Sequence, residues 1–443
     1  MKFRLPFFVF SICLAGGGQA QQSWDLQRCI GYALENNIQI LQQQSNTEYY
    51  TNELKQSRND RLPSVSGNLS NSFNFGRSLQ YDNTYADYNS NQTGASLSAN
   101  VTLWNAMALK KAAGVAGFNL RASLEDLQKA KDDVILNVTA AYLQVLFSRE
   151  LEQEAADQLK VTRLQVERTR KLVDAGSLAR GSLLEIEAQE AQEELNLVNQ
   201  QNELQLSYLD LYQLLELPAS EEFNIVVPEL PVISANRSLL SSAEVFDYAV
   251  NNRPEVKSAA FRLESYRQQV SLARSSLYPT LSAGFDYYTS YNNKYEDMNG
   301  EKISFSDQLK NNERYGMGLN LSIPVFSRLQ TRTQIKNAEL QAESQELELQ
   351  NTKNLLRKEI EQAYTNAFAA LKKYIASNKA VESMKEAFRY TEEKFNVGMV
   401  NSVEYNQAKN NLTKATSELA QAKYDYIFRS KILDFYNGVP IEL

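Results

Sequence analysis

The chain contains itself twice, and the spacing of the two copies limits what it can fold into. Asn36 and Pro63 recur as Asn252 and Pro279, each 216 residues later. Further on the offset becomes 222, so that Trp104 matches Phe326, Tyr142 matches Tyr364 and Gly176 matches Gly398. Six extra residues therefore lie between Pro279 and Phe326 in the second copy. Such a period is far too long for a solenoid or propeller repeat; one architectural unit is used twice.

Each copy reads as helix, strand, loop, strand, very long helix, tight turn, helix. In the first copy, residues 25–60 are helical in composition until Pro63 ends the run. Val65, Leu69, Phe73 and Phe75 then alternate with Ser64, Ser66, Asn68, Ser70, Ser72 and Asn74. After a polar Tyr/Asn-rich loop, 77–92, the residues Ala95, Leu97, Ala99, Val101 and Leu103 alternate with Ser96, Ser98, Asn100 and Thr102. The second copy repeats this with Leu281, Ala283, Phe285 and Tyr287, and again with Met317, Leu319, Leu321, Ile323 and Val325. Period-two alternation of this length signals strands. About ten residues is also the length of a tilted strand crossing a hydrocarbon layer. An antiparallel sheet with one face on a soluble core is the competing reading.

The runs 105–174 and 328–396 have no Pro and little Gly. Each predicts a helical rod roughly 105 Å long at 1.5 Å per residue. Ile135, Val138, Tyr142 and Val145, then Leu151, Ala155 and Leu159, recur at threes and fours and make a narrow seam of the coiled-coil kind. The Gln/Glu-rich stretch 185–203 is expected to be a solvated face. Gly176 and Gly398 stop the rods as helix C-caps. Return helices then run to about Leu217 and Tyr436. The domain boundaries expected are a first repeat at 21–217, a proline-marked crossover at 218–242 with strand-like 223–227, and a second repeat at 243–443. Pro254 predicts that the first helix of the second copy breaks near Asn252.

Lys2 and Arg4, the apolar run 5–15 and Gly18-Gln19-Ala20 form a secretory signal, 1–20. The run is too short to span a bilayer. Bulky Ile12 argues against a lipid anchor on Cys13. Cys29 is then the one cysteine of the mature chain, so no internal disulfide forms. The 46 basic residues face 53 acidic ones, and loss of Lys2 and Arg4 makes the mature chain more acidic still. That balance argues against nucleic acid as a partner. An exported, Tyr-rich chain (24 tyrosines) with no apolar helix of spanning length is a periplasmic protein or an outer-membrane β-barrel.

Histidine is absent, which removes His-ligated metals and His-based acid–base catalysis. There is no phosphate-binding loop, dinucleotide fingerprint or zinc-type Cys spacing. No catalytic, cofactor-binding or metal-ligating residue is expected; only a carboxylate-based hydrolase survives among enzymes, with no converging pair to support it.

Four strands cannot close a barrel, and an open edge cannot face lipid, where each unpaired backbone group costs several kcal/mol. Two chains would give eight strands, just wide enough to be filled by side chains; three give twelve and an aqueous lumen. Ser, Asn and Gly on one face suit water, and Leu, Val, Phe and Ile on the other suit lipid. Trp104 and Phe326 stand at the strand-to-helix junctions, where an interfacial aromatic belt is expected.

The chain resembles the TolC-type outer-membrane efflux proteins over essentially its mature length. The resemblance rests on the duplicated order, on Leu62-Pro63-Ser64 and Tyr278-Pro279-Thr280 opening the hairpins, and on the two tips, Val173-Asp174-Ala175-Gly176-Ser177-Leu178 and Phe395-Asn396-Val397-Gly398-Met399-Val400. It implies a mixed α+β membrane protein: a homotrimeric 12-stranded barrel, four strands per chain, continued by an α-helical barrel through the periplasm. It implies a passive exit duct for efflux or type I secretion that meets a periplasmic adaptor and an inner-membrane transporter, with outer-membrane lipid around the barrel. By position, Gly176, Ser177, Leu178, Gly398, Met399 and Val400 become adaptor-docking residues. An acidic residue commonly follows each tip glycine by six positions in this family; Glu404 matches, but Ser182 stands at the other place. The alternative to a duct is a soluble periplasmic coiled-coil scaffold or binding protein.

Overall fold

The computed structural model describes residues 23–79, 83–218, 223–230, 233 and 240–443. The expected leader and part of the 218–242 crossover lie outside the described residues. Elements follow in the order β1 (Ser23–Trp24), α1 (Leu26–Asn36), α2 (Ile38–Asn59), β2 (Ser64–Asn74), β3 (Arg77–Leu79), β4 (Tyr85–Asp87), β5 (Ser90–Trp104), α3 (Ala108–Asp174), α4 (Arg180–Leu215) and β6 (Asn224–Ile225). The second copy supplies α5 (Ser242–Asn252), α6 (Pro254–Ser275), β7 (Thr280–Asn292), α7 (Phe305–Asn311), β8 (Arg314–Ser322), α8 (Gln330–Asn396) and α9 (Ser402–Tyr436). The two rods, α3 and α8, have 67 residues each, and both ends of one map onto the other at the 222 offset.

Two compact units form, each from pieces of both copies. One combines residues up to Leu41 with Lys131–Ala249 and Glu359–Leu443; the other combines Gln42–Ala130 with Val250–Lys358. In the first, Tyr142 is fully buried and its hydroxyl donates to the carbonyls of Val226, at 2.6 Å, and Trp24. Those residues lie in or beside a small parallel pairing of β1 with β6, the sheet foreshadowed in the crossover. Trp24 packs on Tyr32 and Phe223, with centroids 5.2 and 5.3 Å apart. Val138, Val145, Ala155 and Leu159 of the α3 seam are buried here too.

Both copies break their first helix, not the second alone. In the second, Pro254 opens α6 after Arg253. In the first, Asn37 leaves helical geometry with ψ 127°, accepts from the Gln39 amide and donates to the Leu214 carbonyl. An Asx-type cap does there what proline does in the other copy.

The second unit holds one four-stranded antiparallel sheet, in the order β2-β5-β7-β8. Its two hairpins are joined through β5 and β7, and β2 and β8 are its edges. The loop of the second hairpin carries the short helix α7, which periodicity did not reveal. Ser304 caps it, and the buried Gln308 donates to the carbonyls of Asn292 and Ile303.

Strand passes to rod through an elbow found in both copies. Ala106 and Met107, then Arg328 and Leu329, have φ of 50°, 61°, 49° and 64°. Two consecutive non-glycine residues in left-handed geometry are costly, about 1 kcal/mol or more each. They recur at the 222 offset, so each junction is held by its surroundings in the same bent form.

Candidate functional site

The sheet is a wall with two chemically distinct faces. Register runs straight across it: Val65 pairs with Ala99, Ala99 with Phe285, and Phe285 with Met317. Directly opposed residues share a face. One face therefore carries Val65, Leu69, Phe73, Leu97, Phe285, Met317, Leu319 and Leu321, with Gly67, Asn71, Asn91 and Thr93 among them, and the other carries most of the Ser, Asn and Gly residues. The alternation read from each strand alone continues across all four, except that the bulge skips Leu103, and Ile323 and Val325 lie beyond the end of β8.

One irregularity re-aims a predicted site residue. Strict alternation would put Trp104 on the polar face. A bulge between Thr102 and Trp104 skips Leu103, so that Trp104 pairs with Leu281 of the apolar face. One extra residue in a bulge changes the side on which the next residue emerges. Trp104 is half exposed, and Phe326, at the equivalent junction, is more exposed still.

The other candidates belong to the helical unit. Gly176 and Gly398 have φ of 74° and 77°. The Gly176 amide donates to the Val173 carbonyl and the Ser177 amide to that of Leu172. The Gly398 amide donates to Phe395 and the Met399 amide to Lys394. Both pairs are the two hydrogen bonds of the Schellman motif, which needs a left-handed residue at the glycine position. Gly176, Ser177, Leu178, Gly398 and Met399 are exposed, and Val400 is half-buried.

The helices leaving the two turns start differently. Asn401 caps α9, its side chain accepting from the Glu404 amide at 2.9 Å. Ala179 begins α4 with no side-chain cap, and the Ser182 amide donates to the Ala179 carbonyl. Glu404 is exposed in the first turn of its helix, where the dipole favours an acid. A cleft of about 720 Å³ lies against the tips, lined by Leu164, Leu172, Leu178, Ser182, Phe395, Gly398 and Val400 among others. It brings Leu178, Ser182, Gly398 and Val400 to one place; Glu404 does not line it.

Sequence patterning missed what lies behind the tips. Lys409 of α9 sits 3.1 Å from Glu193 of α4 and donates to the Thr162 hydroxyl of α3 at 2.5 Å. Thr162, Gln158 and Gln189 donate to the Glu193 carboxylate in turn. All three central residues are buried. Burial holds the Lys409 ammonium below the ordinary lysine range, and Glu193 acts in the opposite direction. Tyr405, stacked on Phe395 with centroids 4.6 Å apart, has its phenol pushed up by the same desolvation. Only the Lys409 and Glu193 side chains themselves could have signalled this, and on a Gln/Glu-rich helix Glu193 looks like one more solvated acid.

Burial pushes the Cys29 thiol up to about 12, so at neutral pH it is an inert core residue. Among the described residues no acid/cysteine cluster could hold a metal ion, and no helix is long and apolar enough to cross a membrane.

The order of hairpin and rod, used twice, is shared with known proteins. The outer membrane efflux protein family matches residues 29–216 and again 245–438, one match per copy. The chain belongs to that family. Outer membrane protein TolC of Vibrio cholerae serotype O1 is 27% identical over 434 residues, covering 96% of this chain and 93% of the relative. Toxin and drug export protein A of Aggregatibacter actinomycetemcomitans is 22% identical, over 75% of this chain and 69% of its own length. The solved outer-membrane channel OprN superposes with a TM-score of 0.76 over 94% of this chain and 90% of its own, at 18% identity. The protein is an outer-membrane exit duct for efflux or secretion. Membership sets aside the soluble scaffold, and the family is one of channels, not enzymes.

Proposed function

We propose that three copies of this efflux protein close their sheets into one twelve-stranded barrel, and that rods and return helices continue the conduit as an α-helical barrel into the periplasm. The observation that carries this reading is the pair of open edges. β2 and β8 are exposed along their whole length, and the largely apolar face they share reaches from one to the other. Such edges cannot be left in hydrocarbon. Joining the β2 edge of one copy to the β8 edge of the next removes them all. From the Leu281 level to Tyr287 the apolar face is open for about 20 Å along β7; beyond it Thr289 donates to the Leu309 carbonyl of α7 and Tyr291 packs on Phe305.

Transport is passive in this reading, with energy supplied by an inner-membrane transporter reached through a periplasmic adaptor. Gly176, Ser177, Leu178, Gly398, Met399 and Val400 form the docking surface, supported by the exposure of the first five at two turns with the same hydrogen bonds. Glu404 lines the periplasmic entrance, with Ser182 at the equivalent place in the first copy. The membrane fraction, extracted in mild detergent, should give a heat-modifiable species of three chains by light scattering. A stable single chain would overturn the reading. Gly398→Arg should abolish export while assembly stays normal; unimpaired export would remove the tips from docking.

A further inference from the structure

We propose that the barrel wall is charge-compensated at a single band formed by Asp286 and Arg314, so that the barrel admits hydrated solutes of either charge and does not sort them. This rests on the barrel reading above. Among the described residues of β2, β5, β7 and β8, these two are the charged ones on either face. Register places both on the polar face: Asp286 is opposite Ser98 and Gly316, and Arg314 is opposite Tyr288. They are thus diagonal neighbours on adjacent strands, close enough for long side chains to interact. Gly316 sits beside Asp286, so no side chain stands between the two at that position.

Depth fixes which way this face points. Asp286 is about 16 Å along the strand from the Trp104–Leu281 level, between Phe285 and Tyr287 of the apolar stretch. An ionised side chain at that depth is strongly unfavourable against lipid and tolerable against water. The remainder of the face is hydroxyl, amide and glycine, including Ser66, Asn68, Ser98, Asn100 and Asn320. Three copies place three carboxylates and three guanidiniums on one ring. Inside low-dielectric walls a ring of one sign concentrates counter-ions and sets selectivity, whereas an alternating ring largely cancels.

The test is the reversal potential of the intact protein in planar bilayers under a KCl gradient. Arg314→Ser leaves three carboxylates unbalanced and should raise the K⁺/Cl⁻ permeability ratio roughly threefold or more; Asp286→Asn should lower it by a similar factor. The double variant should return to the parent ratio. Glu404 is present in all four proteins, so any filter at the entrance cancels from the comparison. Open pores whose ratio ignores both single changes, or a double variant that does not return, would overturn the charge balance and leave the barrel reading standing. Absence of pores in the parent protein would overturn both.

Discussion

The first-copy hairpin, α3 with α4, and the second-copy hairpin, α8 with α9, have nearly the same lengths and the same turns but unequal cover. Over its last turns α3 buries Ala155, Leu159, Thr162, Val166 and Thr169. Over the equivalent stretch, 372–396, α8 buries no residue among those described, and Met384 and Tyr390 are exposed. Duplication supplied two equal rods, but within one chain only α3 is buried over this stretch; α8 makes partial contacts there, such as Phe388 and Phe395 against Tyr405. The difference teaches that equal rods need not be equally covered within one chain, and on the reading above the next copy is what covers the second.

The sharpest way to break this comparison is at the buried charge that ties α9 to the first hairpin. Lys409→Ala leaves Glu193 buried without its counter-ion and should cost about 3–5 kcal/mol, seen in thermal unfolding followed by helical circular dichroism. Replacing both, as Lys409→Met with Glu193→Leu, should recover most of that loss. A single variant as stable as the parent would mean that the two hairpins are not joined there.

Next in size is the contrast between the rods. Leu159→Ala should destabilise by about 2–5 kcal/mol, because it empties a packed site. Met384→Cys, by contrast, should be protected from a water-soluble maleimide only in the assembled protein, with Cys29 silent as a buried thiol. Complete labelling after assembly would show that the face of α8 stays open and that no copy covers it.

Smaller effects separate the two tips. Asn401→Ala should cost about 1 kcal/mol by removing the α9 cap, and Ala179→Asn should gain several tenths to about 1 kcal/mol by supplying the cap that α4 lacks. Equal responses to cap removal and cap addition would erase the asymmetry. Smallest in stability is Glu404→Gln, about 0.3–1 kcal/mol from the helix dipole. If Glu404 also lines the entrance, that variant should weaken block by multivalent cations, and Ser182→Glu should strengthen it. Unchanged block in both would leave Glu404 as a helix-start acid and nothing more.

Much of this was legible in the residues, because period-two and period-three-to-four patterns are properties of local chain geometry. The 222 offset placed both ends of the rods, and Val65, Leu97 and Phe285 declared their strand faces before register was known. What failed to show was whatever depends on distant partners or on backbone geometry without a compositional mark. Asn37 breaks a helix without proline, and nothing in its neighbours announces that its side chain reaches Leu214. Ala106-Met107 and Arg328-Leu329 adopt left-handed φ although none of the four is glycine. Trp104 stands at the end of β5 as the alternation indicates, but the bulge that turns it to the apolar face is a pairing event between β5 and β7. Lys409 and Glu193 lie on different copies, 216 positions apart, and their union follows from packing alone.

The two unpaired edges of the sheet also bear on inheritance. If a conduit needs every β2 edge to meet a β8 edge, a chain with one spoiled edge stops any ring that recruits it. In a cell making intact and edge-defective chains in equal amounts, random recruitment of three leaves about one conduit in eight intact. Proline substitutions along β2 or β8 should therefore behave as dominant alleles, whereas a chain that is never exported should be recessive.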